Sequence, residues 1–124
     1  MSHKLTEPIF YRKPWGSEII WSITDHFMAK TIEINPFKVT DLLVYEQKEK
    51  SLIVIFNTLV LAIGSCCDEE GLVYAELRDG WTYSIPRGHL HRYGATDKPA
   101  RLIEISSPEL DEGIVVTNLL EDFI

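Results

Sequence analysis

The segment Gly80-Trp-Thr-Tyr-Ser-Ile-Pro86-Arg-Gly88-His-Leu-His91 carries the clearest structural signal of this sequence. Positions 81–85 hold aromatic, β-branched and small residues, a composition typical of a strand. Pro86 cannot donate to a strand ladder, and Gly88 supplies the backbone freedom that a sharp reversal needs. The segment therefore predicts two strands joined by a tight turn. His91 begins the second strand, and we expect its imidazole to point into the space between two sheets.

Length and charge limit the classes of protein that this chain can represent. Its 124 residues are 45% hydrophobic, which predicts one domain over residues 1–124 with a single core. The net charge of −7 argues against a nucleic-acid partner. No apolar run approaches the ~20 residues that span a bilayer, and the first residues contain no signal-peptide core. We therefore expect a cytoplasmic protein with no membrane partner.

The two cysteines, Cys66 and Cys67, are adjacent in the sequence. A disulfide between neighbours is strained and closes almost no loop, so it would stabilise the fold little. Two thiolates without a second pair of ligands do not make a zinc site. We expect both cysteines to be reduced and to lie in a turn.

Short apolar stretches recur about every ten residues, and helical periodicity is nearly absent. Asn57 is the only plausible turn inside the run from residue 51 to 64, because asparagine tolerates a left-handed backbone. This pattern predicts an all-β jelly roll with a ligand cavity between its sheets. The predicted strands cover about 17–22, 27–34, 41–46, 51–56, 58–64, 72–77, 81–85, 90–96 and 101–106.

The spacing Gly-x5-Pro-x-Gly-x2-His of the 80–91 segment resembles the second motif of the cupin superfamily. The segments 13–21 and 103–111 are similar to the opening and the closing strand of small cupins related to type II mannose-6-phosphate isomerases. The resemblance implies a double-stranded β-helix, the cupin jelly roll, with a barrel over about 17–106 and short extensions at both ends. It also implies a sugar-phosphate isomerase that works at a divalent metal such as manganese, iron or zinc.

The resemblance places the metal ligands of that family on four positions, of which only His91 keeps its ligand. Leu43 takes the place of the glutamine, Tyr45 that of the first histidine, and Lys50 that of the glutamate. Gln47 falls on the second histidine position of other cupins. Leucine cannot ligate a metal, and a lysine ammonium repels one. We therefore expect no metal cofactor, and a largely apolar cavity with one histidine.

His91 has three interpretations: a hydrogen-bonded wall residue, an acid, base or ligand contact, or a metal ligand. In a metal-free reaction His91 would act as the base, Tyr45 would donate a proton and Lys50 would stabilise an enolate oxygen. The predicted ligand contacts are Tyr45, Gln47, Lys50, Arg87 and His91.

A buried Lys50 would need an anionic partner. Glu46 or Glu49 could supply it, or the lysine could reach solvent. A ligand phosphate or carboxylate is the functional alternative, with Arg87 or Lys30 assisting.

Three functions follow as hypotheses. The first is a metal-free cupin that binds a sugar phosphate, a nucleotide sugar or a small acid. The second is a sugar-phosphate isomerase or epimerase, metal-dependent or metal-free, and the third is a non-catalytic structural homodimer that pairs through the apolar 51–63 run. We expect the chain to form a homodimer. Trp15, Trp21 and Trp81 are expected to anchor the core and the sheets.

Overall fold

A computed structural model describes residues 7–65, 71–108 and 114–115, which form eleven strands. Cys66 and Cys67, and with them the expectation of a reduced pair, lie outside the described residues. The strands are β1 (Ile9–Lys13), β2 (Gly16–Ile23), β3 (Met28–Ile34), β4 (Leu43–Val44), β5 (Lys50–Phe56), β6 (Leu59–Ser65), β7 (Val73–Leu77), β8 (Thr82–Ile85), β9 (His89–Ala95), β10 (Ala100–Ser106) and β11 (Ile114–Val115).

Two antiparallel sheets are packed face to face. The first has six strands in the order β1-β2-β3-β10-β5-β8, and the second has five in the order β11-β4-β9-β6-β7. Sequential strands β5 and β6, and also β8 and β9, lie in different sheets, so the chain crosses repeatedly between the layers. This arrangement confirms the predicted jelly roll. Within the described residues, no helix is long and apolar enough to cross a membrane.

The nine predicted strands are all present, most of them within two residues of the expected bounds. The third predicted strand, 41–46, is much shorter than expected: it corresponds to β4, which covers two residues where the sequence predicts six. β1 and β11 were not predicted. All five side chains of β1 are exposed, so this edge strand lacks the alternation of buried and exposed residues that identifies a half-buried strand.

The core is built from the inward-facing positions of both sheets. β5 buries every second residue from Lys50 to Val54, and β10 does the same from Ala100 to Ser106. This period of two is what a strand with one buried face requires. The main apolar cluster comprises Trp15, Ile32, Ile34, Leu52, Val54, Leu59, Leu61, Leu77, Ile85, Tyr93, Ala100 and Leu102.

Only one of the three tryptophans is an anchor of the core, which corrects the expectation for the other two. Trp15 is buried, whereas Trp21 and Trp81 are 42% and 53% exposed. The β2–β3 register shifts between Ile20 and Ser22, so Trp21 is left without a partner residue in the ladder. Trp81 lies in the turn before β8, where its amide donates to the Arg78 carbonyl.

The turn between β5 and β6 confirms the role expected of Asn57. Its φ angle is 60°, in the left-handed region, and its Nδ2 donates a 2.9 Å hydrogen bond to the Pro99 carbonyl. The side chain thus ties this turn to the residue before β10. Gly88, with φ of 77°, makes the predicted reversal between β8 and β9.

Gly16 is a position where an added methyl group is expected to be costly. A Cβ at Gly16 would overlap the backbone carbonyl of Glu33 on the neighbouring strand, whereas a Cβ at Gly80 would meet no atom within 4 Å. Gly80→Ala should cost about 1–2 kcal/mol, the penalty of a left-handed residue that carries a Cβ. We expect Gly16→Ala to cost at least about 2 kcal/mol more in urea denaturation, because β2 and β3 must separate. Equal costs would contradict this close approach.

Candidate functional site

A cavity of about 250 Å³ lies at one end of the barrel, where the inner faces of four strands change from apolar to polar. β3 continues from Ile34 and Ile32 to Lys30, β5 from Val54 and Leu52 to Lys50, and β10 from Leu102 to Glu104. β9 contributes Tyr93 and His91. β3, β10 and β5 are adjacent in the first sheet, and β9 belongs to the second sheet, which packs against it. The polar ends of the four strands therefore meet in one place.

The Lys50 ammonium group is at the centre of this cavity. Its Nζ lies 3.2 Å from His91 Nε2 and 3.4 Å from Glu104 Oε1. The same atom lies 4.0 Å from the centroid of the Tyr45 ring, a cation–π distance. Lys50 and Glu104 are almost completely buried, at 4% and 2% exposure. The sequence-predicted residues His91, Tyr45 and Lys50 are thus brought together.

Glu104 is the counter-charge of this centre. Its Oε2 accepts a 2.6 Å hydrogen bond from the Tyr93 hydroxyl, and its Oε1 lies 3.7 Å from Lys30 Nζ. Burial alone would raise the pKa of Glu104, but the two lysines and the tyrosine hydroxyl lower it to about 2. The carboxylate is therefore ionised at neutral pH.

The two cavity lysines have opposite pKa shifts. Lys30 also contacts Glu18, at 3.1 Å, and its carboxylate neighbours outweigh burial, so its pKa is raised. Lys50 is more deeply buried and lies next to Lys30, and its pKa falls to about 8 despite Glu104. Lys50 is therefore the cavity lysine that more readily loses its proton.

His91 is neutral at physiological pH, because burial and the adjacent Lys50 lower its pKa to about 4. Its Nδ1 lies 3.1 Å from the His89 carbonyl, which can only accept, so Nδ1 carries the proton. The lone pair of Nε2 then faces the Lys50 ammonium, which donates to it. Tyr93, which donates to Glu104, has a raised pKa because of burial and that carboxylate.

The structure corrects two expectations about this site. The cavity is not largely apolar, since six charged residues line it: Lys13, Glu18, Lys30, Asp41, Lys50 and Glu104. The partner of Lys50 is Glu104, and neither Glu46 nor Glu49. Those two residues are exposed, whereas the Lys50 side chain points inward. The signal for Glu104 was its place in the alternation Leu102-Glu104-Ser106, which puts a carboxylate on a buried face.

Two predicted ligand contacts lie away from the cavity. Gln47 is exposed in the segment between β4 and β5, and Arg87 is exposed in the turn before β9. The Arg87 guanidinium lies 3.8 Å from the Glu49 carboxylate, an exposed ion pair. Neither residue lines the cavity.

The residues present do not fit the divalent metal that the sequence resemblance implies. The space between His91 and Glu104 is filled by the Lys50 ammonium, whose charge repels a cation. The Leu43 side chain, which also lines the cavity, has no donor atom. In the part of the chain that the structure describes, no group of three or more His, Cys, Asp or Glu side chains is placed to hold a metal ion.

A scan against protein-family models and a search of curated proteins both find no match. Solved structures do match. KdgF from Halomonas sp. has a TM-score of 0.69 at 15% identity, over 84% of this chain and 89% of that one. CapF from Staphylococcus aureus, a capsular polysaccharide assembling protein, has a TM-score of 0.76 at 14% identity. A deletion mutant of oxalate decarboxylase from Bacillus subtilis has a TM-score of 0.78, also at 14% identity.

The matched regions cover 88% of this chain for CapF and 95% for oxalate decarboxylase, but only 34% and 32% of those longer proteins. Identities this low support the fold and do not single out the mannose-6-phosphate isomerase type. All three neighbours are cupin-fold proteins. With its two antiparallel sheets, its Gly80–His91 turn and a cavity at one end of the barrel, this chain has the cupin fold.

Proposed function

We propose that this cupin binds a small oxygen-rich molecule in its cavity, with the Lys50 ammonium in the place of a metal ion. The contact of Lys50 Nζ with both His91 Nε2 and Glu104 Oε1 carries this proposal. Among the described residues, Glu104 is the one carboxylate that Lys50 contacts, and Lys50 shares it with Lys30, so this buried cation keeps attraction for a ligand oxygen. Lys50 would thus polarise a carbonyl, carboxylate or phosphoryl group without any metal.

The volume of the cavity limits the size of the ligand that can bind. Pockets for drug-sized ligands are typically about 300–1,000 Å³, and this cavity is about 250 Å³. A sugar phosphate or a small hydroxy acid matches that volume, whereas a nucleotide sugar would leave its nucleotide outside. Thr40, Asp41 and Tyr45 also line the cavity and offer partners for ligand hydroxyl groups.

The alternative of a metal-free isomerase has one observation in its favour. The neutral Nε2 of His91, the Tyr45 ring and Lys50 lie around the same space, and the centroids of the His91 and Tyr45 rings are 5.9 Å apart. These are the three groups for which the sequence predicts catalytic roles: His91 as the base, Tyr45 as the proton donor and Lys50 as the partner of the enolate oxygen. Their catalytic roles stay predictions.

A thermal-shift screen tests the binding proposal, using sugar phosphates and small hydroxy acids with and without divalent metals. A ligand present at about 100 times its Kd adds about 2.7 kcal/mol to the free energy of unfolding, which is roughly 10 °C in Tm for a chain of this size. We expect Lys50→Met to lose this shift. Lys98 is exposed and does not line the cavity, so Lys98→Met should keep the ligand-induced shift in Tm.

Metal analysis of protein purified without chelator completes the test. We expect no stoichiometric manganese, iron or zinc, and no effect of EDTA on the ligand-induced shift. Stoichiometric metal, or a large Tm increase with metal alone, would overturn the proposal that Lys50 takes the metal's place.

A further inference from the structure

We infer that Lys50 forms a Schiff base with the carbonyl carbon of a small ketone or aldehyde that enters the cavity. This inference rests on the proposed function, because it requires the same cavity to admit a small polar ligand. It goes further by naming a covalent step and the chemical class of the ligand: open-chain carbonyl compounds that also carry an acid or phosphate group.

The position of Lys50 supports a nucleophilic role. Its Nζ lines the cavity, on the inner face of a rigid strand that is paired on both sides, by β10 and β8. A lysine attacks a carbonyl only as the neutral amine, which burial and nearby cations favour. Both conditions hold at Lys50, since it is almost fully buried and Lys30 approaches the same carboxylate.

Lys30 provides a comparison within the same cavity. It lies between two carboxylates, Glu18 at 3.1 Å and Glu104 at 3.7 Å, which keep it protonated. Lys50 has Glu104 on one side and the neutral His91 Nε2 on the other. His91 Nε2 is an acceptor within hydrogen-bond distance, so it can relay the proton that leaves Lys50 to the carbonyl oxygen. We therefore assign the nucleophile to Lys50 and a supporting positive charge to Lys30.

The step balances without an oxidant or a reductant. The amine nitrogen of Lys50 bonds to the carbonyl carbon, and the carbonyl oxygen gains a proton to give a carbinolamine. The carbon–oxygen bond then breaks, and the oxygen leaves as water whose two hydrogens come from the original ammonium group. The remaining hydrogen stays on the iminium nitrogen. The iminium product thus carries the positive charge that the ammonium carried, so the buried carboxylate faces a cation both before and after the reaction.

Borohydride trapping tests this inference. The full-length protein is incubated at pH 8 with pyruvate or, in a second arm, with dihydroxyacetone phosphate, and is then reduced. At that pH more of the Lys50 side chains are neutral than for an ordinary lysine, because burial lowers the pKa of Lys50 to about 8. We expect intact mass to rise by the mass of the carbonyl compound less one oxygen atom, with a single addition. Peptide mapping should place it on Lys50.

Two variants serve as controls. Lys50→Arg should lower the modified fraction at least about tenfold, because a guanidinium stays protonated. Lys98→Arg, on an exposed lysine, should leave it unchanged. Mapping on the unaltered protein makes the test independent of how well Lys50→Arg folds. The carbonyl compound that is trapped to the greater extent shows whether the cavity prefers a 2-oxo acid or a hydroxyketone phosphate.

The outcomes separate this inference from the proposed function. A thermal shift with these compounds but no borohydride-dependent adduct on Lys50 would overturn the Schiff base and leave the binding proposal intact. Adducts spread over exposed lysines at equal levels would also overturn it. Absence of both binding and trapping would count against the proposed function itself.

Discussion

Glu104→Gln is expected to destabilise the protein by about 3–5 kcal/mol, the range observed when one partner of a buried ion pair is removed. Glutamine keeps the size of the side chain and can still accept the Tyr93 hydrogen bond. It removes the negative charge that faces both Lys50 at 3.4 Å and Lys30 at 3.7 Å. The variant therefore leaves buried positive charge without its partner. Urea denaturation monitored by tryptophan fluorescence measures the difference.

A matched exposed pair provides the control. Glu33 and Arg101 also form an ion pair, at 3.3 Å, but their side chains are 39% and 43% exposed. Glu33→Gln should therefore change the free energy of unfolding by less than about 1 kcal/mol. The double variant Lys50→Met/Glu104→Met should recover at least half of the loss, because it removes both charges of the pair and leaves Lys30 with Glu18. A Glu104→Gln cost as small as that of Glu33→Gln would show that Glu104 is not the buried counter-charge.

Acidification is expected to destabilise the protein in two successive steps. The pKa of His91 falls from 6.5 to about 4 on folding, and that of Glu104 from 4.5 to about 2. At pH values between the folded and unfolded pKa of each group, the unfolded chain binds more protons than the folded one, so stability falls as pH is lowered. His91 contributes its loss between pH 6.5 and 4, and Glu104 between pH 4.5 and 2. Each step is worth about 3 kcal/mol.

Variants assign the two steps to their groups. The free energy of unfolding is measured by urea denaturation at intervals of pH between 2 and 7. His91→Gln should flatten the upper part of the curve, and Glu104→Gln the lower part. His26 lies exposed in the β2–β3 turn, so His26→Gln is the control that should leave the curve unchanged. An upper step that persists in His91→Gln would contradict the burial of a neutral imidazole.

The sequence was sufficient for the barrel because its signals are local. The Pro86–Gly88 turn and the left-handed Asn57 each depend on a few adjacent residues, and both are found where expected. β1 was missed for the same reason: its side chains are exposed on both faces, and only its backbone pairing with β2 makes it a strand. Such pairing has no signature within five residues.

Only part of the candidate site could be predicted from the sequence. The family resemblance puts Leu43, Tyr45 and Lys50 at ligand positions of the barrel, and all three residues line the cavity. The partner of Lys50 was sought among near neighbours in sequence, Glu46 and Glu49. It comes instead from β10, 54 residues away, because β10 lies between β3 and β5 in the sheet. Strand order is a property of the whole fold, and local patterns do not contain it.

The place of Glu104 in the ladder has a consequence for folding. Glu104 lies directly opposite Lys30 across the β10–β3 pairing, and Lys50 is opposite Ser106, two residues along, in the β10–β5 pairing. A slip of β10 by one residue would turn the carboxylate to the outer face and leave the buried Lys50 without its carboxylate partner. The charge cluster thus acts as a register lock on the middle of the sheet. It can close only after segments around residues 30, 50 and 104 have met, so we expect it to form late, after the transition state for folding.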